Sequence, residues 1–98
     1  MRRSKTEIFL DILKFLVLDG SLRVSHLMRK VNLPYDRVAL YLKFAVNNFI
    51  VNKKGQFYTI TSFGLLIYKE CKGERLLRKN LDEYFKKREE KTASTRFS

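Results

Sequence analysis

Several residue types that support particular chemistries are scarce in this sequence. Its 98 residues include one cysteine, Cys71, which excludes an intramolecular disulfide and any zinc site built from several cysteines. A lone cysteine fits a reducing compartment, where we expect it to serve as a small apolar side chain. The one histidine, His26, has no cysteine or carboxylate at metal-ligand spacing, so we expect it at the surface. The sequence therefore predicts neither a metal site nor a cofactor.

Groupings that support catalysis are also missing. The four glycines are scattered along the chain and form no phosphate-binding loop. The acidic pairs Asp82-Glu83 and Glu89-Glu90 consist of sequence neighbours, which point apart on a helix and do not converge on one substrate. We therefore expect a protein that is not an enzyme and has no evident small-molecule ligand.

Long apolar runs are absent as well. No run reaches the roughly 20 residues that a membrane-spanning helix needs. The most apolar stretch, Ile8–Leu18, is interrupted by Asp11 and Lys14, and no small-residue cleavage site follows it. We therefore expect no membrane-embedded segment and no signal peptide, and the cytoplasm, or the nucleoid within it, is the default location.

Acidic residues are outnumbered by basic ones. The chain has 21 Lys+Arg and 10 Asp+Glu, and its formal net charge of +11 favours polyanionic partners. Nucleic acid is the first candidate, and an anionic membrane surface is the second. Residues 20–62 hold seven basic residues and one acidic residue, a net charge of +6. The corresponding values are +1 for residues 1–19 and +4 for residues 63–98, so the excess is concentrated in the middle of the chain.

Helical periodicity dominates the first half of the sequence. Ser4-Lys5-Thr6-Glu7 has capping-box spacing, and Asp19-Gly20 is a stop signal for the helix that follows it. After a short extended segment at residues 21–24, a second short helix is predicted to end at Asn32-Leu33-Pro34. A third helix is then expected from about Pro34 to Asn48. The apolar positions expected to face the core are Ile8, Ile12, Leu13 and Leu16 in the first helix, Val24, Leu27, Met28 and Val31 in the second, and Val38, Leu42, Ala45 and Phe49 in the third.

The pattern then changes to that of a β-hairpin and a last helix. Ile50-Val51-Asn52 and Phe57–Ile60 are β-prone runs that flank the basic tip Lys53-Lys54-Gly55-Gln56. Thr61 or Ser62 is expected to cap the last helix. We favour one helix that continues through Gly73 to about Glu90, followed by a frayed tail at residues 91–98. The alternative is a helix that breaks at Gly73 and folds its second half back over the preceding domain, residues 1–62.

This order of elements predicts a winged helix-turn-helix. Two short helices joined by a tight turn form the helix-turn-helix signature, and a hairpin directly after them forms the wing. The fold class is mainly α (α+β), with a DNA-binding domain at residues 1–62 and a C-terminal helix at residues 63–90. The expected partner is double-stranded DNA.

Candidate DNA contacts follow from this geometry, in which the N-terminal half of the third helix faces base edges. Arg37 is expected to pair with guanine, and Lys53, Lys54 and Gln56 to touch the adjacent backbone or minor groove. The remaining candidates are Arg23, Tyr35, Asp36, Tyr41 and Lys43 near the reading head, and Arg2, Arg3 and Lys5 in an N-terminal basic arm. Tyr35 and Tyr41 have a competing role in covering or filling the core. Leu40 and Phe44 face either thymine methyl groups or a neighbouring helix.

A second expectation concerns self-association. Leu77, Leu81 and Tyr84 step by four and three, as one stripe of a coiled coil does. A helix of about 28 residues spans roughly 42 Å, longer than the preceding domain can cover, so we expect this stripe to be exposed in a single chain. The residues expected to bury it in a homodimer are Phe63, Ile67, Leu77, Leu81, Tyr84 and Phe85.

Several of these segments resemble the small archaeal winged-helix DNA-binding proteins. The resemblance covers roughly residues 4–90 and rests on Asn32-Leu33-Pro34-Tyr35, Tyr41-Leu42-Lys43, Ile50, Tyr58-Thr59-Ile60-Thr61 and Gly64-Leu65-Leu66. It implies an antiparallel coiled-coil dimer formed by a long C-terminal helix, and a role in chromatin or transcriptional regulation. The chain departs from the family pattern at Asn48-Phe49, where a glycine or small polar turn is usual. It departs again at Ser62-Phe63-Gly64, where Lys-Gly often follows the capping threonine.

These expectations lead to one favoured function and two alternatives. We expect a homodimeric transcriptional regulator that binds double-stranded DNA. The alternatives are an architectural protein that coats or bridges DNA and a winged helix used as a protein- or RNA-interaction module.

Overall fold

The predicted order of elements is observed in the computed structural model, which describes residues 4–70 and 79–87. The elements are α1 (Lys5–Asp19), α2 (Val24–Val31), α3 (Tyr35–Asn47), β1 (Val51–Lys54), β2 (Phe57–Ile60) and α4 (Ser62–Glu70), and residues 79–87 form a further helix, α5. Arg2, Arg3, Cys71, Gly73, Leu77 and the tail at residues 91–98 lie outside the described residues. The mainly helical fold with a two-stranded antiparallel sheet is confirmed.

The first helix begins and ends where the capping signals predict. The Ser4 hydroxyl accepts a hydrogen bond from the Glu7 amide at 3.1 Å, and the Gly20 amide donates to the Leu16 carbonyl at 2.8 Å. The apolar positions predicted for this helix are all buried: Ile8, Ile12, Leu13 and Leu16, together with Phe9.

A tight turn joins α2 to α3, as the sequence predicts. Asn32 ends α2 in the left-handed region at φ 56°, and its amide donates to the Met28 carbonyl. Pro34 has a φ of −71° at the N-cap of α3, where its missing N–H costs no helical hydrogen bond. The two helices therefore form the helix-turn-helix unit.

The hairpin β1–β2, called the wing below, is also confirmed, with a shift in its turn. Val51 pairs with Ile60 and Lys54 with Phe57, so both lysines lie in β1 and the turn consists of Gly55 and Gln56. Gly55 has a φ of 60°, which suits the first central residue of a type II′ turn. Leu22 extends the sheet by an isolated bridge to Tyr58, with backbone hydrogen bonds of 3.1 and 2.8 Å.

The start of α4 is fixed against the end of α3. The Thr61 hydroxyl lies 2.7 Å from the Phe49 carbonyl oxygen and accepts a hydrogen bond from the Gly64 amide at 2.9 Å. Thr61 is thus the cap of α4. A Cβ atom at position 64 would collide with the Ile50 carbonyl oxygen, so this close approach requires glycine.

The expected core position of Phe49 is wrong, because α3 ends at Asn47. The Asn48 side chain donates to the Phe44 carbonyl at 2.8 Å, and the backbone then turns through a φ of 59° at Phe49. This turn leaves the Phe49 side chain 77% exposed and places Ile50 in the core. Phe44, for which the sequence allows either a DNA contact or a neighbouring helix, is buried.

The C-terminal apolar stripe packs against the domain itself. Leu81 is 0% exposed and Phe85 is 2% exposed within this one chain. The Phe85 ring centroid lies 4.8 Å from that of Tyr41, and the Tyr84 centroid lies 5.5 Å from that of Phe44. The expectation of an exposed stripe is therefore wrong for Leu81 and Phe85. Residues 79–87 instead fit the alternative, in which the second half of the segment folds back over the preceding domain.

Two further features of the structure concern membrane-spanning helices and metal sites. Among the described residues, no helix is both long and apolar enough to cross a membrane. Within the same ranges, no group of three or more metal-ligating side chains comes together.

Candidate nucleic-acid interface

The third helix presents three distinct faces. Val38, Leu42 and Ala45 lie in the core, as predicted. A second face carries Arg37, Tyr41 and Phe44, whose side chains contact the aromatic rings of α5. The third face is open to solvent and carries Asp36, Lys43 and Asn47, which recur at helical spacing and are all exposed. This open face is where α3 can meet a large ligand.

A groove of about 520 Å³ separates α3 from the wing. Tyr35, 58% exposed, stands at the N-terminal end of α3 and lines this groove, so it does not cover the core. The opposite wall is formed by Lys53 of β1 and Tyr58 of β2, and the Lys53 ammonium lies 5.8 Å from the Tyr58 ring centroid. The remaining lining residues are Asp36, Ala39, Leu40, Leu42, Lys43, Val46 and Asn47.

A second groove, of about 340 Å³, continues this surface toward α2. Arg23 and Gln56 line it, and it shares Tyr35, Lys53 and Tyr58 with the first groove. The Arg23 guanidinium lies 4.9 Å from the Phe57 ring centroid, within the range of a cation–π contact. The two grooves therefore form one concave basic surface.

The two wing lysines are not equivalent. Neighbouring residues of a strand point to opposite faces, and Lys53 pairs with Tyr58 while Lys54 pairs with Phe57. Lys53 lines both grooves, whereas Lys54 lies on the opposite face of β1. Only Lys53 faces the surface that α3 shares.

The basic side chains that line the two grooves are available to an external anion, whereas two lysines elsewhere on the domain have acidic partners. Lys30 forms an ion pair with Asp19 at 3.2 Å, and Lys5 lies 3.9 Å from Asp82. Within the described part of the chain, Arg23, Lys43 and Lys53 form no ion pair. No described acidic side chain therefore compensates their positive charge, which leaves them able to bind phosphates.

Two of the predicted contacts fall elsewhere. Tyr41 is 0% exposed, with its ring 6.4 Å from that of Phe9 and 4.8 Å from that of Phe85, so its predicted contact with DNA is wrong. Arg37 is exposed, but its guanidinium lies 5.6 Å from the Phe85 ring centroid. It therefore occupies the flank of α3 that faces away from the wing. The basic-arm residues Arg2 and Arg3 lie outside the described residues.

Sequence reasoning missed Asn47 and Tyr58 as interface residues. Asn47 lies one helical turn beyond Lys43, so helical spacing from Lys43 identifies it once the core face is known. Tyr58 has no comparable signal. Its position depends on the hairpin register and on the bridge to Leu22.

The predicted dimer residues divide into two groups. Phe63 is 52% exposed on α4 and Ile67 is half-buried, whereas Leu81 and Phe85 are buried within the chain and Tyr84 is half-buried. Leu77 lies outside the described residues. Among the predicted dimer residues that the structure describes, Phe63 on α4 is the most exposed, and its neighbour Leu66 on the same helix is 53% exposed.

Comparison with known proteins agrees with this architecture. A family described as winged helix-turn-helix matches residues 2–89. No protein with a curated description matches the chain. The match spans nearly all of the sequence and coincides with the observed helices, turn and wing, so the chain belongs to the winged helix-turn-helix family.

Proposed function

We propose that this protein binds double-stranded DNA with sequence preference and acts in transcriptional control. One observation carries the proposal: the open face of α3 and the basic grooves beside the wing form a continuous surface, whose cations pair with no acidic side chain in residues 4–70 and 79–87. The major groove of B-DNA, about 12 Å wide, admits a helix of this kind. The wing would then lie along the adjacent backbone.

Base reading falls to the open face of α3. Lysine donates to guanine O6 and N7, asparagine pairs with adenine, and a carboxylate accepts from the cytosine amino group. Lys43, Asn47 and Asp36 supply these three groups on one side of the helix. They replace Arg37 as the proposed readers, because Arg37 lies on a flank of α3.

Phosphate binding falls to the residues that line the two grooves. Arg23 and Lys53 supply charge, and the Gln56 amide and Tyr35 hydroxyl can donate to phosphate oxygens. Because Arg23 and Lys53 each lie over an aromatic ring, part of their side-chain freedom is already lost before DNA binds.

The proposal also includes a homodimer, but through a surface that only partly matches the one that the sequence predicts. We propose that two copies associate through the exposed face of α4, which carries Phe63 and Leu66. The α4 sequence has one basic and one acidic residue, Lys69 and Glu70, so its net charge is zero in a chain of net charge +11. This helix therefore adds no net charge to a contact between two strongly basic chains. A two-fold pair would present two α3 helices to a two-fold DNA site.

Selection of bound duplexes from a random pool tests the function directly. We expect recovery of a preferred site, and a log–log dependence of affinity on salt with a slope of about −4 to −7 if five to eight phosphates are contacted. A steep slope without any sequence preference would support the architectural alternative. Absence of duplex binding at low salt would contradict the proposal and favour the protein- or RNA-interaction module.

A further inference from the structure

Two cations from distant parts of the sequence meet over one buried aromatic ring. The Lys5 ammonium lies 5.7 Å from the Phe85 ring centroid, and the Arg37 guanidinium lies 5.6 Å from the same centroid. Phe85 is 2% exposed and contacts the Tyr41 ring, so its position is fixed by the core. The N-terminus of α1, the N-terminal half of α3 and α5 therefore converge at this point.

This cluster lies on the side of α3 opposite the wing. Tyr35, Ala39 and Val46 line the groove that the wing closes. Arg37 and Phe44 point about half a turn away around the helix, toward α5. The open face with Lys43 lies between these two flanks. A helix is about 10–12 Å across with its side chains, close to the width of the major groove, so its two flanks face the two phosphate backbones.

The charge of the cluster is only partly compensated. Asp82 lies 3.9 Å from the Lys5 ammonium, and its side chain is 60% exposed. In the described ranges, Arg37 forms no ion pair. Cation–π contacts contribute only about 0.5–1 kcal/mol at exposed sites, so the ring holds these cations in place without neutralising them. Lys5, Arg37 and Asp82 together carry a net charge of +1, which attracts an external anion.

We propose that Lys5 and Arg37 form a second phosphate-binding site, which contacts the DNA strand opposite the one bound by the wing. The proposal rests on the DNA-binding function proposed above and assigns α5 to it, because Phe85 positions both cations. Lys5 and Arg37 are contact residues in this scheme, Phe85 is a positioning residue, and Asp82 competes with the phosphate for Lys5.

Ethylation interference on the selected DNA site tests this assignment, because it identifies the phosphates that each part of the protein needs. The variants are Lys5→Gln with Arg37→Gln for the second site and Arg23→Gln with Lys53→Gln for the wing side. We expect two groups of required phosphates, on opposite strands across the major groove. Each double variant should lose one group and keep the other.

Salt titration gives a second readout on the same variants. Loss of two phosphate contacts should make the log–log slope shallower by about 2, so the affinity ratio of wild type to variant should shrink about tenfold between 50 and 200 mM salt. Asp82→Asn should strengthen binding at low salt, because Lys5 loses its competitor. Lys14→Gln is the matched control, since the Lys14 ammonium also lies 5.7 Å from a ring centroid, that of Phe15, but outside both clusters.

Three outcomes separate the possibilities. If both double variants lose the same phosphates, or the Lys5 and Arg37 variant loses none, the second site is wrong while DNA binding stands. If Arg37→Gln alone flattens the preference for one base pair, Arg37 is a base reader and the assignment is overturned. If the wild-type protein binds no duplex at low salt, the proposed function itself fails.

Discussion

At the scale of single residues, the wing offers a sharp comparison because two neighbouring lysines differ only in the face they occupy. Lys53 lines both grooves, whereas Lys54 points to the other side of β1. We expect Lys53→Gln to weaken all duplexes alike and to make the salt slope shallower by about 1, because one phosphate contact is lost. Lys54→Gln removes the same charge and should leave the slope nearly unchanged. Equal effects would mean that charge alone, and not position, governs wing contacts.

A second residue-scale prediction concerns Gly64. At an open helical position, glycine to alanine stabilises a protein by about 1 kcal/mol. Here the added Cβ meets the Ile50 carbonyl oxygen, a backbone atom that cannot move without shifting β1. We therefore expect Gly64→Ala to lower the free energy of unfolding by about 1–3 kcal/mol in urea denaturation. A stabilised variant would show that α4 and the end of α3 are less closely packed than described.

At the scale of elements, the docking of α5 can be tested through stability. Phe85 is buried against Tyr41, so Phe85→Ala should cost about 3–5 kcal/mol of unfolding free energy. Phe49→Ala makes the same chemical change on a side chain that is 77% exposed, and should cost well under 1 kcal/mol. Urea titrations of the two variants give the comparison. A cost below about 1 kcal/mol for Phe85→Ala would mean that α5 does not pack on the domain.

Local signals in the sequence predicted most elements, because caps, breakers and periodicity act within a few residues. Ser4, Pro34, Gly55 and Thr61 each mark a boundary that the structure confirms. The position of Phe49 was mispredicted because α3 ends one residue earlier than expected, and one residue of helix rotates the next side chain by about 100°.

Contacts between segments that are distant in the sequence could not be predicted from local sequence patterns. The stripe with Leu81 and Phe85 has the spacing of a dimer interface, yet the same spacing serves a helix that packs on its own chain. Arg37 was predicted as a base reader from its place in α3. Its position over Phe85 depends on a tertiary contact with α5, for which the sequence carries no local signal.

At the scale of the whole molecule, the net charge should make self-association and DNA binding respond to salt in opposite directions. Each chain carries a net charge of +11, so two copies repel at low salt, and added salt screens that repulsion. We expect association through Phe63 and Leu66 of α4 to tighten as salt rises, while affinity for DNA falls. Bound DNA should also favour the dimer, because its phosphates neutralise the basic DNA-binding surfaces of both chains and so reduce their repulsion.

Sedimentation equilibrium at two salt concentrations measures this dimer directly. At tens of micromolar protein, the dimer fraction should be larger at 300 mM than at 50 mM salt. Phe63→Ser with Leu66→Ser should give a folded monomer at both concentrations. Leu18→Ser is the control, since Leu18 is 68% exposed on α1 and does not belong to the α4 face proposed as the interface, so its loss should not change the dimer fraction. A wild-type protein that stays monomeric at every salt concentration would contradict the dimer, and each head would then have to bind its DNA site alone.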